Sequence, residues 1–311
     1  MIELSSNKEP RILIIRGGAI GDFILTLPVL SALKLRFPKV DLEILGYPRI
    51  ASLALDGGLV KAVHPIESPE LAMFFSKHAF VAQEWKEFFA EFSIIISYLY
   101  DPDKIFEANV KSCGVQQFIA AQHRPDETKM IHASELFLKP LEMLTIFDGD
   151  PVARLSIEAE LPLMSCLALH PGSGSDSKNL SEKKWKELIE YLLNNTSLQL
   201  LLIGGEAEGE KLQRLAQDLP IDRLEILQNI PLSILAKRLV RCRGYIGHDS
   251  GVTHIASALG LPTLVLWGPS CEAVWRPLGE RVRILNSNNQ LSKITLNDIV
   301  RELNALQMDL N

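Results

Sequence analysis

Tyr245-Ile246-Gly247-His248-Asp249-Ser250-Gly251-Val252-Thr253-His254-Ile255-Ala256-Ser257-Ala258-Leu259-Gly260-Leu261-Pro262-Thr263-Leu264 reads as a strand, a tight Gly/Asp/Ser turn, a short helix and a second apolar strand. Such a turn aims backbone N–H groups and the positive end of a helix at whatever lies above it, which favours an anion such as a diphosphate. Asp249 and His254 flank that opening and can hold a hydroxyl or a phosphate oxygen. An ordinary strand-to-helix connection with Ser250 or Asp249 as N-cap accounts for the same residues.

An earlier segment repeats the pattern. Leu167-Ala168-Leu169-His170-Pro171-Gly172-Ser173-Gly174-Ser175 is a strand running into a Gly/Ser loop, with Lys178 beyond it and a helix starting near Ser181. Small side chains let backbone amides approach phosphate, and one lysine adds a point charge. The spacing is not that of a P-loop. Two such loops within one α/β unit favour a nucleotide site.

A third loop lies near the start of the chain. The buried-strand run Arg11 to Ile15 leads into Arg16-Gly17-Gly18-Ala19-Ile20-Gly21-Asp22 and an apolar helix, expected from Phe23 to about Arg36. A dinucleotide fingerprint would need glycine where Ala19 stands, and Glu43 is poorly placed as its acidic residue. What remains is a glycine loop delivering Asp22 to the C-terminal rim of a parallel sheet, where open α/β folds bind ligands. A helix-capping role for Asp22 is the competing reading.

Around these loops, strands are expected at 11–16, 41–46, 60–65 and 93–97, with helices at 22–36 and 69–91. A second set follows: strands near 166–170, 198–203, 224–227, 244–247 and 262–267, and helices near 182–194, 207–217, 232–241 and 251–259. Asp148-Gly149-Asp150-Pro151 and a charged linker, Arg154 to Pro162, separate the two sets. Alternating βαβ patterning predicts parallel sheets in both, so two Rossmann-like domains are expected, 1–155 and 156–311. The tail from Thr295 to Met308 carries Leu296, Ile299, Val300, Leu303 and Leu306 at helical spacing.

In order and spacing, the three loops resemble the heptosyltransferases of glycosyltransferase family nine. The matching residues are Arg16 to Asp22 with Leu27-Pro28, then His170 to Ser175 with Lys178. The third stretch is Gly247 to Gly251 with His254, Ala256, Ala258 and Leu259, continuing to Gly268-Pro269-Ser270. Two departures stand out. Asn179-Leu180-Ser181 replaces the usual polar residue and Trp-Pro after the lysine, and His248 takes a place more often held by Asn, Thr or Val.

The resemblance implies a GT-B type fold with an interdomain cleft, an N-terminal acceptor domain and a C-terminal nucleotide-sugar domain. In folds of this type the last helix, here about 295–308, commonly packs back on the first domain. The implied reaction is an inverting transfer of heptose from ADP-heptose to the inner core of lipopolysaccharide. Asp22 is then the general base, on an acceptor-side loop with Gly18 and Gly21. Ser173, Gly174 and Lys178 hold phosphates; Glu208 contacts the nucleoside; Asp249, Ser250, Gly251 and His254 complete the donor site. A different nucleotide sugar, an epimerase, or a non-catalytic sugar-nucleotide-binding protein on the same fold are the alternatives.

The whole composition is compatible. A chain of 311 residues with 47% hydrophobic content can build two cores. A net charge of −6 counts against a nucleic-acid partner. Arg49, Lys61, His64, Lys104, Lys111, Arg124 and Lys129 are candidates for a local basic cluster facing an anionic acceptor. No apolar run is long enough to span a membrane, and Met1 to Pro10 does not read as a signal peptide. The expected location is cytoplasmic, with room for peripheral contact at the inner membrane. Cys113, Cys166, Cys242 and Cys271 are scattered and suit unpaired thiols. Asp101-Pro102-Asp103 and Asp148-Gly149-Asp150 have turn chemistry, so no cofactor and no obligatory metal are expected.

Overall fold

A computed structural model describes residues 10–77, 81–158, 164–217 and 219–306. Met1 to Glu9, the linker residues 159–162, and Gln307 and Met308 of the expected tail helix lie outside the described residues. The chain divides into two compact units. One comprises Met1–Gly18, Thr26–Pro125 and Ser134–Asp150; the other comprises Ala19–Leu25, Asp126–Ala133 and Pro151–Asn311.

The first unit holds a five-stranded sheet of β1 (Arg11–Arg16), β2 (Asp41–Gly46), β3 (Ala62–Pro65), β4 (Ile94–Ser97) and β5 (Gln117–Ala120), ordered β3-β2-β1-β4-β5. Every pairing is parallel, with Ile14 opposite both Ile44 and Ile96. Parallel strands are covered on both faces, which is why β1 reads as an unbroken apolar run, Ile12 to Ile15, and not as alternation. An aromatic group of Phe74, Phe89, Phe92 and Phe106 packs on one face of this sheet.

The second unit holds a six-stranded parallel sheet of β6 (Cys166–His170), β7 (Gln199–Gly204), β8 (Leu224–Gln228), β9 (Gly244–His248), β10 (Thr263–Trp267) and β11 (Val282–Asn286). Its order is β11-β10-β9-β6-β7-β8. The chain therefore winds outward from β6 to β8, returns to β9 and winds the other way. The reversal falls between β6 and β9, and their last residues are His170 and His248. In doubly wound sheets the ligand crevice opens at that point. Helix Glu182–Asn195 covers the sheet with Trp185, Leu188, Ile189 and Leu192, and Ser181 caps it by accepting from the Lys184 N–H.

Several elements differ from the sequence reading. The helix expected over 22–36 is two helices, Ile20–Ile24 and Leu27–Arg36; Pro28 lies in the first turn of the second, where its missing N–H costs nothing. The span 69–91 breaks into Pro69–Ala72, a 3₁₀ turn Met73–Phe75 and Gln83–Ala90. The span 207–217 breaks at Gly209, where φ is +47°. Strands β5 and β11 carry no clear sequence signal. β11 is an edge strand whose Arg283 turns outward to Glu302.

Helix Leu296–Ala305 packs within the second unit. Ile299 and Leu303 are buried in the same cluster as Trp185 and Leu188, and a reciprocal Thr295–Asp298 capping box starts the helix. The cysteines are also less scattered than their numbers suggest. Cys166 opens β6, Cys242 closes the turn before β9, and their buried sulfurs are 3.1 Å apart as free thiols.

Candidate functional site

Three segments converge at the C-terminal ends of β6 and β9. The first follows β9. Ser250 caps helix Gly251–Ala258, accepting from the Thr253 N–H, and its hydroxyl also meets Thr253 Oγ1 at 3.1 Å and His170 Nδ1 at 3.2 Å. Asp249, one residue earlier, is nearly buried. Its Oδ2 accepts from Lys178 Nζ and from Ser270 Oγ, each at 2.6 Å. The main-chain carbonyl of Ser270 in turn accepts from the buried Trp267 indole N–H at 3.0 Å.

The second segment is the loop after β6. Ser173 is buried and donates to the Ser175 carbonyl at 2.8 Å, so the loop folds on itself; Gly174 faces open space. Lys178 ends the following 3₁₀ turn and stays one-third exposed while pairing with Asp249. The two departures from the family pattern touch each other here. His248 Nε2 accepts from the Leu180 N–H at 2.8 Å, and Nδ1–H donates to the Gly172 carbonyl at 3.4 Å. The ring is fully buried, edge-on to Trp185, and burial pushes its pKa down to about 3, with His170 adding to the shift. His170 is likewise buried and pushed down to about 4 by burial, helped by the Lys211 charge.

Glu208 lies beside this loop. Its Oε2 accepts from the Gly205 N–H at 2.5 Å, and its carboxylate occupies the space that a side chain on Gly172 would need. Lys211 Nζ donates to the Pro171 carbonyl at 2.8 Å, and burial lowers its pKa. A side chain at 172 would therefore displace the Glu208 carboxylate from its present place.

The third segment is helix Ile20–Ile24. Its stretch, Ala19–Leu25, belongs to the second compact unit. Two glycines lie at the contact. A Cβ on Gly251 would lie 2.5 Å from the Cβ of Ile20, and one on Gly21 would lie 3.3 Å from His254 Cδ2. Glycine at 251 lets the short helix sit on helix Gly251–Ala258, and a side chain at 21 would press on the His254 ring. Asp22 Oδ2 accepts from the Ala19 N–H at 3.1 Å, so the capping contact is real. Its charge also acts on His254. Burial pushes His254 down to about 4 against the pull of Asp249 and Asp22, with His132 and Lys178 adding to the lowering.

The geometry thus gathers Gly21, Asp22, Ser173, Lys178, Glu208, Asp249, Ser250, Gly251 and His254 in one unit. Gly18 stays in the other, at a φ of +100° that favours glycine. His132 is a residue the sequence reading missed. Buried, with Nε2–H donating to the Arg276 carbonyl at 2.8 Å, it lies near enough for its charge to act on His254. It stands in no recognisable motif. Ser270 could have been found, since it closes the third motif, but nothing local ties it to Asp249.

The other candidates have structural partners. Asp101 accepts from the N–H groups of Ile105, Phe106 and Glu107, so Asp101-Pro102-Asp103 is a helix-starting turn. Glu43 is buried between Arg11 at 2.7 Å and His64 at 2.6 Å. Lys61, Lys111 and Lys129 each have a carboxylate neighbour: Asp41, Glu107 and Asp126. Among the described residues no His/Cys/Asp/Glu group could hold a metal ion, and no helix is long and apolar enough to cross a membrane.

A doubly wound parallel sheet whose strand order reverses between β6 and β9 defines the fold class, the open α/β folds whose ligand crevice lies at that reversal. The particular family follows from comparison. Residues 157–301 match the family model of glycosyltransferase family 9 (heptosyltransferase). Lipopolysaccharide heptosyltransferase 1 of Escherichia coli is 26% identical over 183 residues, 57% of this chain and 54% of that protein. The chain thus spans about half the length of the curated relatives it matches. Among solved structures, a family 9 glycosyl transferase from Veillonella parvula has a TM-score of 0.79 at 16% identity, covering 96% of this chain and 97% of that one. An E. coli heptosyltransferase, WaaC, solved with ADP, has a TM-score of 0.75 at 18% identity, covering 95% of this chain and 99% of that one. The fold is that of the GT-B heptosyltransferases.

Proposed function

We propose that this protein is an inverting glycosyltransferase that moves a heptose from ADP-heptose to an acceptor in the lipopolysaccharide core, without an obligatory metal. The observation that carries the reading is the convergence on Asp249 and His254 of the phosphate-type loop, the capped helix start and the helix bearing Asp22. The match of residues 157–301 to the family 9 model and relatives named lipopolysaccharide heptosyltransferase support the donor and acceptor classes.

In this reading the diphosphate sits over the N–H groups that open helix Gly251–Ala258, with the Gly172–Gly174 loop and Lys178 around it. Lys178 moves part of its charge from Asp249 to the phosphates, and Glu208 faces the nucleoside. The acceptor hydroxyl attacks the anomeric carbon of the sugar, the bond from that carbon to the phosphate oxygen breaks, and ADP leaves with the electron pair. The hydroxyl proton passes to the Asp22 carboxylate, the general base. His254, neutral at pH 7, donates or accepts a hydrogen bond there without adding positive charge.

The deciding experiment incubates the protein with ADP-heptose and a heptose-deficient lipopolysaccharide and weighs the acceptor. One added heptose supports the proposal. An unchanged acceptor beside an ADP-sugar epimerised or left intact would refute it.

A further inference from the structure

We infer that His248 is a positioning residue: by bonding Gly172 and Leu180 at once, it closes the 172–180 loop into the shape that offers Ser173 and Lys178 to a diphosphate. This rests on the proposed nucleotide reading for its consequence, but not for its geometry. The loop between Gly172 and Leu180 carries Ser173, Gly174 and Lys178, has exposed residues at 174–177, and contains only a three-residue turn, Asp176–Lys178. Such a segment has little of its own to hold it. His248 is the last residue of β9, a strand buried along its whole length, so its backbone is fixed by the sheet.

From that point one imidazole reaches both ends of the loop. Nε2 accepts from the Leu180 N–H at 2.8 Å, and Nδ1–H donates to the Gly172 carbonyl. Doing both requires one tautomer of the uncharged ring, with its proton on Nδ1. Full burial and the edge-on Trp185 hold it in that state. Two main-chain groups next to the site are satisfied by a side chain, where an apolar residue would leave the Leu180 N–H buried without this partner. Asp249 then reaches Lys178 from the adjacent position, so the last residue of β9 and the one after it grip the loop at three places. A threonine or valine at 248 has too little reach to make both ring contacts. The departure at 248 and that at 179–181 are in this sense one feature.

The test compares wild type, His248→Leu and His248→Gln. Leucine keeps the volume without the bonds; glutamine can accept and donate through its amide. In wild type, the Leu180 amide exchanges with solvent deuterium far more slowly than Ser175, which lies in the same loop. In His248→Leu, trypsin cuts after Lys178 faster by about tenfold, and ADP binds about three- to tenfold more weakly in calorimetry. Glutamine restores part of both. If His248→Leu fails to fold, exchange in the wild type and the glutamine variant decides alone. Leu180 exchanging as fast as Ser175, or a folded leucine variant that matches wild type in cleavage, overturns the inference. Wild type that takes up no ADP sinks the nucleotide reading instead, and exchange and cleavage still judge the loop.

Discussion

Lys178 Nζ and Asp249 Oδ2 lie 2.6 Å apart, on loops that follow two different strands, with the Ser270 hydroxyl on the same oxygen. In the proposed reading the lysine would meet the diphosphate already held in place, at the cost of sharing its charge. Lys178→Ala should weaken ADP binding by roughly 1.5–3 kcal/mol, the scale of a charge-assisted hydrogen bond. Calorimetric titration reads this directly, and unchanged affinity would remove Lys178 from the phosphate site. Turnover is expected to survive chelation by EDTA; its loss would demand a metal in the mechanism.

Asp22 has two jobs in this scheme, and one substitution separates them. Asparagine retains an oxygen for the Ala19 N–H and is about as good a cap as aspartate, but it cannot take a proton. Asp22→Asn should lower kcat by about 10²–10⁴ while melting temperature and ADP affinity hold. Wild-type turnover in that variant would leave Asp22 a cap and nothing more.

Gly251 tests the seat of the short helix. An added methyl would lie 2.5 Å from the Cβ of Ile20, so one helix must shift. Gly251→Ala should cost about 1–3 kcal/mol of stability, as overpacking does. It should also depress kcat more than ADP affinity, because Asp22 moves with Ile20. Denaturant melts and steady-state rates on the same preparation check both halves; an unaltered kcat would detach Asp22 from the chemistry.

Three buried histidines predict an acid-sensitive fold. His170 and His254 are held down to about 4 and His248 to about 3, against an unfolded value of 6.5. The unfolded chain therefore binds protons that the native state refuses below pH 6.5. Stability is complete above that value and is lost as pH falls toward the native values. Each histidine should account for about 2–3 kcal/mol by pH 4.5. Melting temperature followed from pH 7 to 4.5 should drop steeply, and replacing His248 with glutamine should flatten the curve. A melting temperature that is level across that range would contradict the buried neutral rings.

The parallel α/β character and most of the strands that carry the site were legible in the chain. The runs Arg11 to Ile15, Leu167 to His170 and Tyr245 to Gly247 announce strands because a strand covered on both faces must be apolar throughout. The glycine loops after them announce a ligand edge, since each strand end and helix cap is decided by a few adjacent residues. That information is local, and so is the capping by Ser181, Ser250 and Thr295. Breaks and edges were less legible: Pro28 splits a helix whose periodicity runs on, and β11 hides its alternation behind charged neighbours.

Only the tertiary structure decided who meets whom. Asp249 and Lys178 are 71 residues apart, His248 and Leu180 are 68 apart, and His132 reaches Arg276 across 144. No local propensity encodes such distances; they arise when β9 and β6 become neighbours at the reversal of the sheet. The seat of Asp22 is decided in the same way. Its loop reads like any strand-to-helix turn until Gly251 brings two helices closer than a side chain there would allow. The residue types were written in the sequence, while the charges, tautomer and contacts that make them a site depend on burial, which only the assembled unit supplies.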